Sequence, residues 1–106
     1  MTISERYRQI TEMVAAEADR LGESLPAEMG KALRMFERGV EELQELQERV
    51  GEIPQIQLEN KLSPVLLKAH SSLDRARVLL EQQNYSRESA AVWELEQLIY
   101  RLLNDL

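Results

Sequence analysis

The chain has no cysteine, one histidine, one tryptophan, one phenylalanine, four glycines and three prolines. Without cysteine there are no disulfides, no thiolate metal ligands, no iron–sulfur ligation and no thiol nucleophile, and a reducing compartment suits the protein. Four scattered glycines cannot build a loop that cradles phosphate, and neither G-x-S-x-G nor a Ser/His/Asp set occurs. No apolar run approaches the roughly 18 residues that span a bilayer. The N-terminus, MTISERYRQI, is charged where a signal peptide is apolar, so a cytoplasmic protein is expected. Basic charge is also scarce: 13 Lys and Arg face 19 Asp and Glu, for a net charge of −6. Residues 1–53 carry −5 of this and residues 54–106 carry −1. That balance argues against nucleic acid as a partner.

What is present favours helix. At 106 residues the chain suits one domain with one core. Leu, Glu, Gln, Arg and Ala, all good helix formers, dominate it. A first helix is expected over about 3–21, opened by a Thr2–Glu5 capping box and closed by Gly22. Ile3, Tyr7, Ile10, Val14 and Leu21 form its apolar stripe. A second is expected over about 26–50, with Pro26 in its first turn and Gly51 as its stop. Met29, Leu33, Phe36, Val40, Leu43 and Val50 line its inner face, and Gly39 at the edge of that line allows a close helix crossing. Residues 51–62 read as the longest connection, with Leu58 and Leu62 already in phase with the next helix. The third helix, 63–83, starts at Ser63-Pro64 and carries Leu66, Ala69, Leu73, Ala76 and Leu80 in coiled-coil spacing. Asn84 reads as a left-handed cap, and Ser86 as the cap of a fourth helix over 86–105.

That fourth helix is the most apolar segment. Ala91, Val92, Leu95, Leu98, Ile99, Leu102, Leu103 and Leu106 cover a stripe roughly 140° wide at 100° per residue. Trp93 and Tyr100 lie outside it, seven residues apart and nearly in line. The expected fold is an all-α, antiparallel up-down-up-down four-helix bundle spanning 1–106 as one domain. The alternative is a three-helix bundle whose second helix extends as a coiled-coil arm in a dimer.

Three constellations carry candidate chemistry. His70 stands in line with Asp74, Arg77 and Glu81, a pattern for a phosphoacceptor, for a His–Asp acid/base pair, or for a ladder of surface charges. KAHSSLDRAR invites comparison with histidine-phosphotransfer domains, but Ser71 and Ser72 stand where those have a Lys-Gly pair. Glu41, Glu42, Glu45, Glu48 and Glu52 superficially resemble the E-E-x-x-E helix of MazG-like nucleotide pyrophosphohydrolases. The second-helix E-x-x-D of those enzymes is missing, and most of these glutamates point away from the apolar stripe. Lys61, Lys68 and Arg75 recur every seven residues on one flank of the third helix, suited to an anion or an acidic partner, or to interhelical pairing.

Trp93 and Tyr100 are the stronger feature, because a helix with apolar character on two sides has two things to touch. The reading is a non-catalytic interaction or assembly module, with Trp93, Tyr100, Glu96 and Leu103 as its partner-binding surface. Its partner is another protein or a second copy, without cofactor, metal, nucleic acid or membrane. Two alternatives are a helical enzyme centred on His70 or on carboxylate-bound divalent metal, and a small acidic antitoxin-like regulator. Within the chain, Ile53, Ile56 and Leu58 of the connection are the residues available to cover Trp93 and Tyr100.

Overall fold

A computed structural model describes all residues 1–106 and shows an all-α chain with four long helices and no strand. They are α1 (Ile3–Ser24), α2 (Gly30–Gln44), α3 (Leu58–Gln82) and α4 (Ser86–Asn104), with short 3-10 turns at Ala27–Met29, Val50–Glu52 and Gln55–Gln57. Each helix packs on the two beside it, in the cyclic order α1, α2, α3, α4, which is the up-down-up-down bundle. The bundle measures 44 × 22 × 21 Å. One core fills it, built from stripes such as Tyr7, Ile10 and Val14 of α1, Phe36, Val40 and Leu43 of α2, Leu62, Leu66, Leu73 and Leu80 of α3, and Val92, Ile99 and Leu102 of α4. The three-helix alternative with an extended arm is not the fold.

Helix ends follow side-chain chemistry in some places and depart from the sequence reading in others. Thr2 and Glu5 form the reciprocal capping box, with Glu5 N donating to Thr2 Oγ1 at 3.1 Å and Thr2 N donating to Glu5 Oε1 at 3.2 Å. α1 runs through Gly22 to Ser24, however. Its stop is Leu25, which precedes Pro26 and is held extended at φ −85°, ψ 138°, as a residue before proline prefers.

α2 is shorter than its apolar periodicity implies. It begins at Gly30, after a 3-10 turn, and ends at Gln44, and residues 45–49 continue as turns. Side chains of α1 occupy the carbonyls there: the Tyr7 hydroxyl donates to Leu43 O, and Arg8 Nε donates to Gln47 O at 3.1 Å. These bonds let the chain leave α2 without orphaning its last carbonyls. The connection is therefore 45–57, and α3 starts at Leu58, not Ser63. Leu58 and Leu62 are buried on the α3 stripe, and that burial extends the helix upstream through Pro64. Pro64 is exposed, and so is Asn60, the residue four back whose carbonyl loses its usual N–H partner.

The α3–α4 turn is a Schellman motif. Asn84 adopts φ 66°, Tyr85 N donates to Leu80 O at 2.9 Å, and Asn84 N donates to Glu81 O at 3.1 Å. Ser86 does not cap α4. Tyr85 holds that position without a side-chain bond, and Ser86 is the first helical residue.

At Gly39 the helices α2 and α3 approach closely. A Cβ there would lie 2.2 Å from Leu73 Cδ1 and 3.4 Å from Ala69 O, so α2 and α3 touch backbone to side chain. Beside it, Ser72 Oγ donates to Glu42 Oε1 at 2.6 Å.

Candidate functional site

The α3–α4 seam joins two constellations that are separate in the sequence. The antiparallel packing of these helices sets the His70–Asp74–Arg77–Glu81 flank of α3 against the Trp93–Glu96–Tyr100 flank of α4. Spacings of three and four on each helix place these residues on one edge apiece.

Arg77 is the centre of the seam. Its Nη2 and Nε donate to Asp74 Oδ1 at 2.7 and 2.9 Å, and its Nη1 donates to Glu81 Oε1 at 2.6 Å. The guanidinium lies over the Trp93 ring, 5.5 Å from its centroid, in cation–π range. Its Nε also approaches Glu96 Oε2 at 3.4 Å without a hydrogen bond. The line of charges is therefore more than a surface ladder, because it reaches across to a second helix.

Glu96 corrects the sequence reading. It is not part of an exposed partner surface: it is 0% exposed, and neither carboxyl oxygen has a hydrogen-bond partner. Its helical position falls between Val92 and Ile99, whose burial carries it inward. His70 Nε2 is 3.6 Å from its Oε1. Burial, together with the neighbouring Asp74 carboxylate, pushes the Glu96 pKa up to about 8, against the pull of Arg77. Glu96 therefore carries its proton at neutral pH. For Asp74, burial acts upward, but the hydrogen bonds and the charge of Arg77 outweigh it and hold the carboxyl below its usual range.

Trp93 and Tyr100 are each half exposed, at 50%. The connection does not cover them in the way its apolar content allows. Leu58 is buried in the core, Ile53 lies half-buried in a groove with Leu46, Arg49 and Lys61, and Ile56 is 88% exposed. Leu103 is half-buried against the core, at the rim of this face.

On the other flank of α3, Lys68 and Arg75 share a surface groove of about 370 Å³ with Arg38, Glu42, Leu67, Ser71 and Ser72. Lys61 lies apart, in the groove beside Ile53. None of the three heptad-spaced cations forms a salt bridge, so the interhelical pairing open to them in the sequence is not made within the chain. Glu41, Glu45, Glu48 and Glu52 are exposed and spread along the end of α2 and the connection, and only Glu42 turns inward. No three His, Asp or Glu side chains are grouped to hold a metal ion.

No helix is long and apolar enough to cross a membrane. No protein-family model, curated protein or solved structure matches the chain.

The sequence signals both aromatic positions and the His70 line. The burial of Glu96 is missed because an acidic residue inside an apolar stripe reads as the polar edge of that stripe. The available signal was its angular position, one residue in from Trp93 and Tyr100 toward Val92 and Ile99.

Proposed function

We propose that this protein is a non-catalytic assembly module whose docking face is the α3–α4 seam, with Trp93 and Tyr100 as anchors and Leu103 at the rim. The observation that supports it most is that the lone tryptophan and a tyrosine one heptad away stay half exposed while the only apolar connection lies elsewhere. A second copy of the chain is the partner that best fits. The half of the chain that supplies α3 and α4 carries a net charge of −1, against −5 for residues 1–53. Two copies therefore meet with least repulsion on this side. The lack of cysteine fits assembly in a reducing, cytoplasmic setting.

Trp93→Ala and Tyr100→Ala test the reading. Each should weaken association at least tenfold and leave the helical circular dichroism intact, because a half-exposed side chain contributes less to the core than a buried one. Loss of folding in both, with no association in the unaltered chain, would end it.

A second reading draws on the α2–α3 groove. Arg38, Lys68 and Arg75 converge there, and the one acid among them, Glu42, is already bound by Ser72. That arrangement suits an acidic segment of a partner protein. Binding through it should weaken steeply with added salt, whereas docking on Trp93 and Tyr100 should not.

A further inference from the structure

A buried carboxyl with no hydrogen bond requires a physical reason. Glu96 has three charged or titratable neighbours, His70, Asp74 and Arg77, and Arg77 is also held by Glu81. Both Arg77 Nη atoms and its Nε are committed to Asp74 and Glu81, and its Cζ lies over the Trp93 ring, 5.5 Å from the centroid. Arg77 Nε stops 3.4 Å short of Glu96. In this arrangement burial favours Glu96 as the neutral acid. An ionised carboxylate enclosed next to Asp74, with no donor bonded to it, is strongly disfavoured. The nearest donor able to relieve it is Arg77, whose Nε passes from Asp74 to Glu96 when the guanidinium turns toward the buried acid.

We infer that the proton on Glu96 controls the α3–α4 face: while the carboxyl keeps it, Arg77 stays over Trp93, and when it leaves to solvent, Arg77 turns inward and uncovers the ring.

The groups that face Glu96 all belong to α3, namely His70, Asp74 and Arg77, with Glu81 one turn beyond. α1 packs on the other side of α4; its mid-helix Glu12 is exposed, and the α1 charges that meet α4 do so near the ends of that helix. Arg6 binds Asp105, and Glu17 and Arg20 line a groove with Arg87 and Glu88, each about two turns from Glu96. The raised pKa of about 8 puts the change within reach of ordinary buffers. The inference rests on the docking reading only for its consequence, that a more accessible Trp93 strengthens association as pH rises. The movement itself needs no partner.

Trp93 is the chain's one tryptophan, so its emission reports this seam alone. The test is the emission spectrum of dilute protein from pH 6 to pH 10, for the unaltered chain, Glu96→Gln and His70→Gln. The expected result is a single-proton shift to longer wavelength with a midpoint near pH 8, absent in Glu96→Gln and retained in His70→Gln. A flat titration of the unaltered chain overturns the inference, and so does a transition that survives Glu96→Gln or disappears with His70→Gln. Should Glu96→Gln fail to fold, the Glu96 carboxyl carbon resonance, followed by NMR in the unaltered chain, decides. A midpoint above pH 7 supports the inference, and one in the ordinary range of about 4 to 5 overturns it. If the emission shifts as expected while light scattering shows no association at any pH, the docking reading falls and the proton-linked movement stands.

Discussion

The two flanks of α3 contrast sharply. Toward α4, Asp74, Arg77 and Glu81 are bonded to one another, and Arg77 also reaches the indole of Trp93 and the buried acid of Glu96. Toward α2, Lys68 and Arg75 meet another cation, Arg38, and pair with nothing, while the helices themselves approach as closely as Gly39 allows. One flank joins its neighbour through charge, the other through shape. The physical difference lies in the facing helix. α4 offers an acid at the seam, whereas α2 offers a glycine and an acid already bound to Ser72. Changes that break packing should therefore act on the α2 side, and changes that break electrostatics on the α4 side.

The largest effect is expected at Gly39. Gly39→Val forces atoms into Leu73, which is fully buried, and against the Ala69 carbonyl. Overpacking of this kind should lower stability by about 2–3 kcal/mol in urea unfolding. A neutral result would mean that α2 and α3 can separate without loss, and the shape account of that flank would fail.

Next is the pH dependence at the α4 seam. The folded-state pKa of Glu96 lies above its unfolded value of 4.5, so the folded chain binds the extra proton. Its contribution is fully present below about pH 4.5 and is lost as pH rises through about 8. Asp74 acts in the opposite sense and further down the scale: its stabilising share is present above its ordinary pKa of 3.8 and is lost as pH falls through its lowered value. Glu96→Gln keeps the shape and removes the titration. It should be more stable than the parent chain at pH 9 by roughly 1–3 kcal/mol and should narrow to near equality at pH 5. A parent chain whose urea midpoint holds constant from pH 5 to 9 would contradict the electrostatic account.

The smallest effect is expected from the unpaired cations. Lys68→Gln and Arg75→Gln break no bond in the fold and should change stability by no more than about 0.5 kcal/mol in the same measurement. A larger loss would show that these side chains do pair within the chain, and the contrast between the flanks would weaken.

The architecture was legible because apolar periodicity is dense: four stripes, a capping box and a left-handed asparagine read directly as helices and their ends. Boundaries set by long-range contacts were not. α2 stops early because Tyr7 and Arg8, some forty residues away, take its terminal carbonyls, and α3 starts early because Leu58 and Leu62 find room in the core. Gly22, Gly51 and Ser63-Pro64 look like stops and starts, yet none serves as one. Of the site, Trp93, Tyr100 and the His70 line were readable as parts. Their meeting across the seam was not, since no spacing along the chain says which flank of α3 faces α4.

The central claim is that the α3–α4 face docks a second copy of this chain. The most direct test is solution molar mass by light scattering coupled to gel filtration across a dilution series, on the parent chain and on the Trp93→Ala/Tyr100→Ala double variant. The account predicts a parent mass above the 12.3 kDa monomer that falls on dilution, and a double variant that is helical and monomeric throughout. A parent chain that stays at 12.3 kDa at every concentration, or a double variant that assembles as the parent does, would contradict it.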